Sequence, residues 1–340
     1  MHIRAMSEPR ISIVMAAKDE GLYIQNCIES TIQQTFEEWE LIVVDDHSTD
    51  NTAEIINDFA HRDTRVRYFK SEGNRLNGAL LTAQKHIKAP LINRMDADDL
   101  MPDYKLNLMY HHWVKYGQRH VVAGGTQHFV DDGEVGDGFL RYDAWLNEVA
   151  RLNRHWVEIY RECVIPSHCW LIHRDDFFKI GGFADCYPED YDLCFRFYKA
   201  GLKVIGLNKV LHYWRDTETR ISRTWDEYKD NRYFELKLKY FFEIDFDPKR
   251  GIAVWGAGKN GKDLVTQLLK RTHNILWYTN NERKVGKDIY GIRLRNSVEI
   301  DKNESAQILI AISNPKEREE VKVELHRLEL IEGTDFWFFL

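Results

Sequence analysis

The chain of 340 residues contains few cysteines and no long apolar run, and both absences exclude classes of protein. Its five cysteines are an odd number, lie far apart and form no C-x-x-C pair, which argues against a disulfide framework and a zinc knuckle. No stretch approaches the roughly 18 to 20 consecutive apolar residues of a spanning helix, and the start of the chain lacks a signal-peptide core. We therefore expect a protein of the reducing cytoplasm without a transmembrane segment.

A surplus of positive charge is also absent. Lys and Arg number 47 against 54 for Asp and Glu, which gives a formal net charge of -7, whereas a protein that neutralises nucleic-acid phosphates usually carries a basic surplus. The content of 44% hydrophobic and 30% charged residues is ordinary for a globular protein. At roughly 100 to 200 residues per domain, the length predicts two domains with separate cores, and the charge predicts no nucleic-acid partner.

Short apolar runs rich in β-branched residues alternate with segments of helical spacing in the first part of the chain. The predicted strands are 11–17, 39–44, 65–69 and 90–95, and the predicted helices between them are 24–32, 52–60 and 79–87. The glycine-rich segment 121–143 predicts loops and short strands instead. The β-α-β-α alternation predicts an α/β fold with a parallel sheet and helices on both faces.

Two of these strands run into acidic segments, 45–50 and 96–99. Ligands of parallel sheets bind beyond the carboxyl ends of the strands, and carboxylates crowded there repel one another unless a cation screens them. Hard oxygen ligands suit Mg²⁺ or Mn²⁺, which can bridge carboxylate and diphosphate oxygens. The alternative is a solvated acidic turn that caps the helix predicted to begin near Pro102.

Five ordered sequence blocks match a known family in order and spacing: 11–20, 43–50, 95–99, the G-G-F block at 180–184 and the E-D-x-D-L block at 188–196. Together they resemble a family 2 glycosyltransferase over roughly residues 10 to 225. The resemblance implies a GT-A fold that inverts the anomeric carbon of a nucleotide-diphospho-sugar, with a UDP-sugar favoured. It also implies Mn²⁺ or Mg²⁺ at a D-x-D motif.

The resemblance also assigns roles to the acidic residues at the carboxyl ends of the predicted strands. Asp46 contacts the nucleotide, Asp96 and Asp98 form the D-x-D pair on the donor, and Asp98 and Asp99 face the metal. Ala17 and Arg75 join them as donor-binding candidates.

The E-D-x-D-L block supplies the residues implied for the acceptor side. Asp190 is the general base that takes the proton of the acceptor hydroxyl, and Glu189 orients the acceptor or tunes that base. An inverting displacement needs such a base opposite the stabilised leaving group. The alternative is that Glu189, Asp190 and Asp192 are acids of a first helical turn, which the helix dipole favours; both interpretations can hold together.

Four further residues are weaker candidates for the acceptor or the diphosphate: His168, His212, Arg215 and Arg223. Arginine suits phosphate oxygens, whereas a lone histidine is more often a structural residue than a ligand. The family often has a histidine two positions after the arginine of this block, and Thr217 stands there instead.

A strand at 251–255 is followed by a G-x-G-x-x-G of Gly256, Gly258 and Gly261 and by a helix at 262–270. This order predicts a small Rossmann-like domain from residue 246 to 340, after a first domain of residues 1–245. The segment resembles the amino-terminal domain of sugar O-acyltransferases. The acid that a dinucleotide site places about 20 residues on is missing, so a nucleotide-sugar pocket, a docking surface and a packing role stay open.

The acceptor implied by the family is a glycan or a polyprenyl-linked sugar of a bacterial surface polysaccharide such as O-antigen, capsule or exopolysaccharide. The basic and aromatic stretch 213–240 predicts a peripheral membrane contact at the cytoplasmic face. The sequence leaves two alternative functions: an NAD-dependent oxidoreductase centred on the last domain, and a non-catalytic nucleotide-sugar-binding protein.

Overall fold

The computed structural model describes residues 8–217, 233–301 and 305–340 of the chain. They form two compact units. The first takes its described residues from 8–155 and 164–217, and the second from 156–163, 233–301 and 305–340. The boundary predicted between residues 245 and 246 follows the helix Phe234–Ile244, whereas the compact units divide before that helix.

The first part of the chain alternates strands and helices, as the hydrophobic pattern predicts. Its elements are β1 (Ile11–Ala17), α1 (Ile24–Ile32), β2 (Trp39–Asp45), α2 (Thr52–Arg62), β3 (Val66–Lys70), α3 (Arg75–Gln84), β4 (Leu91–Asp96), α4 (Lys105–Tyr116), β5 (His120–Phe129), α5 (Asp137–Leu152), α6 (His155–Glu158), β6 (Trp170–His173), α7 (Arg174–Lys179), α8 (Glu189–Lys199) and β7 (Lys203–Arg215).

These strands form one seven-stranded sheet in the order β3-β2-β1-β4-β6-β5-β7. Neighbouring strands are parallel except for β6, which runs antiparallel to both β4 and β5. The register pairs Ala17 with Asp45 and Ala16 with Asp96. The ends of β1, β2 and β4 therefore meet at one edge, as the sequence predicts. Because both faces are covered, β2 is buried at every position.

Two local predictions differ from the structure. α3 begins at Arg75 rather than near residue 79, because its first turn holds Leu76 as its one apolar side chain and so shows no apolar period. The close approach of Gly78 to Gly73 allows this early start, since a Cβ on Gly78 would lie 2.7 Å from the Gly73 carbonyl carbon. The glycine-rich segment 121–143 contains nine residues of the ten-residue strand β5 and the start of α5, and not only loops and short strands. Gly124 lies in this strand where a Cβ would meet Leu211 of β7 at 2.3 Å.

The second unit contains a smaller α/β arrangement. Its elements are α9 (Phe234–Ile244), β8 (Gly251–Trp255), α10 (Lys259–Leu268), β9 (Ile275–Thr279), β10 (Asp288–Ile289), β11 (Ile292–Asn296), a 3₁₀ turn (Ser297–Glu299), β12 (Ala306–Ile310), α11 (Pro315–Arg327) and β13 (Phe336–Phe338). The sheet order is β10-β11-β9-β8-β12-β13, and every pair except β10–β11 is parallel. The aromatic end of the chain forms the buried strand β13. Among the described residues, no helix combines the length and apolarity needed to cross a bilayer.

Candidate active site

The candidate site lies where β4 ends and its acidic loop begins. Asp96 is the last residue of β4, and Asp98 and Asp99 follow it in the loop. Asp99 is completely buried, whereas Asp96 and Asp98 are partly exposed. The loop therefore directs one carboxylate into the protein and leaves two at the edge where the strands end.

Asp99 meets two histidines from distant parts of the chain. His212 lies on β7, and its Nε2 is 2.8 Å from Asp99 Oδ2. His168 precedes β6, and its Nδ1 is 3.5 Å from the same oxygen. The two imidazole rings stack with centroids 3.6 Å apart. One ligand atom from each residue fits within 4.8 Å of the others, so these three side chains could hold a metal ion.

Burial determines the protonation state of both histidines. It lowers the pKa of His168 to about 4, although hydrogen bonding to Asp96 opposes the shift. It also lowers the pKa of His212 well below its usual value, and the charge of a protonated His168 would act in the same direction. Both rings are therefore neutral at pH 7, which is the form in which imidazole binds metals.

Asp96 is held by three side chains. It accepts hydrogen bonds from Arg94 Nε at 2.9 Å and Ser167 Oγ at 3.0 Å, and its Oδ2 lies 3.3 Å from His168 Nδ1. Burial favours the neutral carboxyl, but the Arg94 guanidinium and His168 outweigh burial and hold the pKa of Asp96 far below its usual range. Asp96 is therefore a fixed carboxylate at this edge.

The electrostatic field of the edge is negative. Burial, followed by the charges of Asp98, Asp50, Asp96 and Asp19, raises the pKa of Glu20 to about 8. Burial is the larger cause of this shift, and the four surrounding carboxylates add to it. Such an edge favours a cation.

The predicted donor-binding residues lie together beyond the ends of β1 and β2. The Asp46 N–H donates to the Ala17 carbonyl at 2.8 Å, and the Arg75 backbone donates to the Asp46 carboxylate. Burial raises the pKa of Asp46, while the nearby Lys18 ammonium, 3.8 Å from Oδ2, opposes that shift. Asp46 Oδ1 is buried and has no hydrogen-bond partner among the described residues. This oxygen can accept a hydrogen bond from a ligand.

Glu189 and Asp190 occupy the first turn of α8. Glu189 is 6% exposed and accepts a hydrogen bond from Arg94 Nη1 at 3.0 Å. Asp190 is more exposed, and its Oδ1 accepts from the Tyr191 N–H at 2.7 Å. The structure therefore connects the Glu189–Asp190 pair to the Asp96 side of the site through one guanidinium.

Arg215 supports the acidic loop from the end of β7. Its N–H donates to Asp99 Oδ1 and its Nε to the Asp98 carbonyl, both at 2.7 Å, and its Nη1 pairs with Asp131. The Arg215 side chain is 3% exposed. These contacts therefore bury the guanidinium that we predicted to bind the diphosphate. Arg223, the other predicted arginine, lies outside the described residues, as does much of the stretch predicted to meet a membrane.

The carboxy-terminal glycine loop lies between β8 and α10. Gly256 has a φ of +123°, and a Cβ on Gly261 would lie 1.9 Å from the Gly256 carbonyl oxygen, so both positions require glycine. Around the Cβ position of Gly258 there is open space. At the end of β9, Asn280 Oδ1 accepts a hydrogen bond from Trp255 Nε1 at 2.9 Å. Asn280 thus stands where a dinucleotide site has the acid that binds the ribose of NAD.

A cleft of about 710 Å³ opens at this loop. Its charged lining consists of Lys259, Lys284, Glu317 and Glu320. The NAD alternative therefore has a cleft of suitable size but not the acid that dinucleotide binding needs.

The sheet topology and the acidic edge define a nucleotide-sugar transferase fold, and the comparisons agree. The model of "Glycosyl transferase family 2" matches residues 12–181, which is half of the chain. The chain therefore belongs to glycosyl transferase family 2. It is 25% identical over 239 residues to glycosyltransferase GlyA of Streptococcus pneumoniae serotype 4, a match that covers 65% of this chain and 32% of GlyA. The chain thus spans about a third of that relative.

Two solved structures share the fold, which confirms the GT-A prediction. S. aureus TarS 1-349 in complex with UDP-GlcNAc has a TM-score of 0.53 and 14% identity, covering 77% of this chain and 73% of TarS 1-349. Mannosyltransferase PcManGT from Pyrobaculum calidifontis, in complex with GDP-Man and Mn²⁺, has a TM-score of 0.50 and 16% identity, covering 70% of this chain and 64% of that one.

The sequence predicts His168 and His212 as candidates for the acceptor or the diphosphate, and the structure places both of them beside Asp99. The alternation of side chains along a strand was an available signal for the orientation of His212. It places His212 and Trp214, two residues apart, on one face of β7. Sequence reasoning missed Arg94 and Ser167. A basic residue inside an apolar strand was the signal for Arg94, because a buried charge needs partners.

Proposed function

We propose that the protein transfers a sugar from a nucleotide-diphospho-sugar to a hydroxyl group of an acceptor, with inversion at the anomeric carbon. The observation that carries this proposal is the cluster of Asp99, His168 and His212 beside the carboxylates of Asp96 and Asp98. It lies at the edge of a parallel sheet where nucleotides bind. Membership of glycosyl transferase family 2 supports the assignment.

A divalent cation fits these residues. His168 Nε2 is buried and has no hydrogen-bond partner among the described residues, and the carboxylates around Glu20 favour a cation. Asp98 and Asp99, with His168 and His212, would hold it. Bound there, Mn²⁺ or Mg²⁺ supplies charge neutralisation for a departing nucleoside diphosphate. The complex of PcManGT with GDP-Man and Mn²⁺ supports this choice of cofactor.

Asp46, Ala17 and Arg75 form the donor side. The buried, unpartnered Asp46 Oδ1 accepts a hydrogen bond from the base or ribose of the nucleotide. We favour a UDP-sugar, which the UDP-GlcNAc complex of TarS supports, over a GDP-sugar such as that of PcManGT.

Asp190 supplies the base on the acceptor side. Its carboxylate takes the proton of the acceptor hydroxyl while that oxygen bonds to the anomeric carbon. The bond from this carbon to the diphosphate oxygen breaks, and its electron pair leaves with the nucleoside diphosphate. Attack from the face opposite the leaving group inverts the anomeric centre, and Glu189 orients the turn that carries the base.

The acceptor in this proposal is a glycan, free or polyprenyl-linked, of a bacterial surface polysaccharide, and the enzyme acts in the cytoplasm at or near the membrane. The family resemblance supports both parts. Failure of the full chain to float with liposomes of bacterial lipid would reject the membrane contact.

The test is a thermal-shift panel of UDP-, GDP-, CMP- and dTDP-sugars with and without Mn²⁺, on wild type and on Asp98→Asn. A ligand that binds the native state raises the midpoint by mass action. We expect a Mn²⁺-dependent shift with one nucleotide class, lost in Asp98→Asn. A shift that survives this substitution would move the ligand site elsewhere, and an absorbance or fluorescence change with NADH would support the oxidoreductase alternative.

A further inference from the structure

One buried arginine lies between the two acidic clusters of the first unit. Arg94 is on β4, is 4% exposed and stands two residues before Asp96, so both side chains point to the same face of the strand. The backbone of Arg94 is paired with Val14 of the neighbouring strand β1. The guanidinium therefore extends from a central strand, and pairing with β1 fixes the position of that strand.

The guanidinium uses separate N–H groups for the two clusters. Nε donates to Asp96 Oδ1 at 2.9 Å, and Nη1 donates to Glu189 Oε1 at 3.0 Å. Burial opposes the charge of Arg94, but the carboxylates of Asp96 and Glu189 outweigh it and hold the pKa of Arg94 above its usual range. A lysine ammonium is a point donor and lacks the planar fork that reaches two fixed carboxylates at once.

Each carboxylate leads to a different part of the site. Asp96 also accepts from Ser167 Oγ and lies against His168, one of the three residues that could hold the metal. Glu189 is the first residue of α8, and Asp190 follows it. Fixing Glu189 therefore fixes the helical turn that carries Asp190.

We propose that Arg94 is a positioning residue that holds the first turn of α8, and with it the Asp190 carboxylate, at a fixed place relative to Asp96. This inference rests on the proposed transferase function. The bond from Arg94 also commits one oxygen of Glu189, so that Asp190 is the member of the pair that serves as base. A displacement of about 1 Å in a reacting group can lower a rate about 100-fold, so loss of this link acts on the chemical step.

The experiment compares Arg94→Lys, Glu189→Gln and the double variant in steady-state transfer, with kcat divided by the number of UDP-Mn²⁺ sites counted by calorimetry. We expect Arg94→Lys to lower kcat per site about 30-fold and Glu189→Gln about 10-fold, because each weakens the same charged link. The double variant should be no slower than Arg94→Lys. The donor KM and the Kd of UDP should stay within about 2-fold in all three, a split between kcat and KM that general destabilisation does not produce.

Arg67→Lys is the matched control. Arg67 Nη1 donates to the buried Glu40 at 2.6 Å. This arginine–glutamate pair lies on β3 and β2 of the same sheet, away from the candidate site. We expect its kcat per site to equal that of wild type.

Unchanged kcat per site in Arg94→Lys, or losses that multiply in the double variant, would overturn the inference. If Arg94→Lys does not fold, Glu189→Gln alone must show the loss of kcat at unchanged UDP affinity, and an unchanged kcat overturns the proposal. Absence of turnover by wild type with every donor is a separate result, because it rejects the proposed function and the role of Arg94 with it.

Discussion

The two sheets of the molecule have different ligand edges, although both consist mainly of parallel strands. The first edge carries charged and polar side chains that fix one another: Asp96 with Arg94, and Asp99 with the neutral imidazoles of His168 and His212. At the second edge, the strands β8, β9 and β12 end in glycine, asparagine and serine segments around a cleft of about 710 Å³.

This contrast shows that the strand order provides a place for a ligand but not the chemistry. Parallel strands and a glycine loop produce a cleft in the second unit, yet its charged residues are two lysines and two glutamates. The first edge concentrates carboxylates and neutral imidazoles, which suit a cation and a leaving diphosphate. The side chains at the edge, and not the topology, therefore determine which ligand and which chemistry the sheet can support.

The largest expected effect comes from Asp99→Asn. The substitution removes the one carboxylate shared by both histidines, and we expect Mn²⁺-dependent transfer to fall about 1000-fold because metal binding is lost. The assay is nucleotide release with a saturating donor. Glu317→Gln, in the cleft of the second unit, is the control and should retain wild-type activity; an equal loss in both variants would remove the contrast between the edges.

Asp190→Asn tests the acceptor side of the first edge. We expect kcat to fall about 100-fold, since the amide cannot take the proton of the acceptor hydroxyl. The Kd of UDP with Mn²⁺ should not change in calorimetry. A matching loss of UDP affinity would place Asp190 in donor binding instead.

The buried imidazole of His168 predicts a dependence of stability on pH. Its pKa in the folded protein is about 4, against about 6.5 in the unfolded chain. The stabilisation is therefore present above pH 6.5 and is lost as the pH falls toward 4, because the unfolded state binds the proton first. Between pH 7 and pH 5 this costs about 2 kcal/mol.

The check is urea unfolding in EDTA at both pH values, with His168→Gln for comparison. The variant should lose about 2 kcal/mol less than wild type on acidification, whatever its stability at pH 7. Equal losses in the two proteins would show that His168 is not buried in its neutral form.

Two glycines test the second edge, with smaller effects. A Cβ on Gly261 would clash with the Gly256 carbonyl oxygen, so Gly261→Ala should lower the free energy of unfolding by about 2 kcal/mol. Gly258→Ala meets open space and should change it by less than about 0.5 kcal/mol. Urea unfolding measures both, and equal effects would contradict the loop geometry.

The sequence predicts the strands that build the first edge, because β1, β2 and β4 are largely buried and consist mainly of apolar residues, although Asn93 and Arg94 interrupt β4. It also predicts that their acidic ends meet. It does not predict the partners of Asp99, since His168 and His212 reach it from more than 60 residues away. Arg94 was missed for a similar reason: its two carboxylate partners, Asp96 and Glu189, come together only when α8 packs near β4.

Binding of Mn²⁺ tests the central claim most directly, because free Mn²⁺ in water is counted by its paramagnetic resonance signal as the protein removes it. We predict one Mn²⁺ site per wild-type chain whose affinity rises with UDP, and loss of this site in Asp99→Asn. A site that persists in Asp99→Asn, or UDP binding that is unchanged by EDTA, would contradict the account.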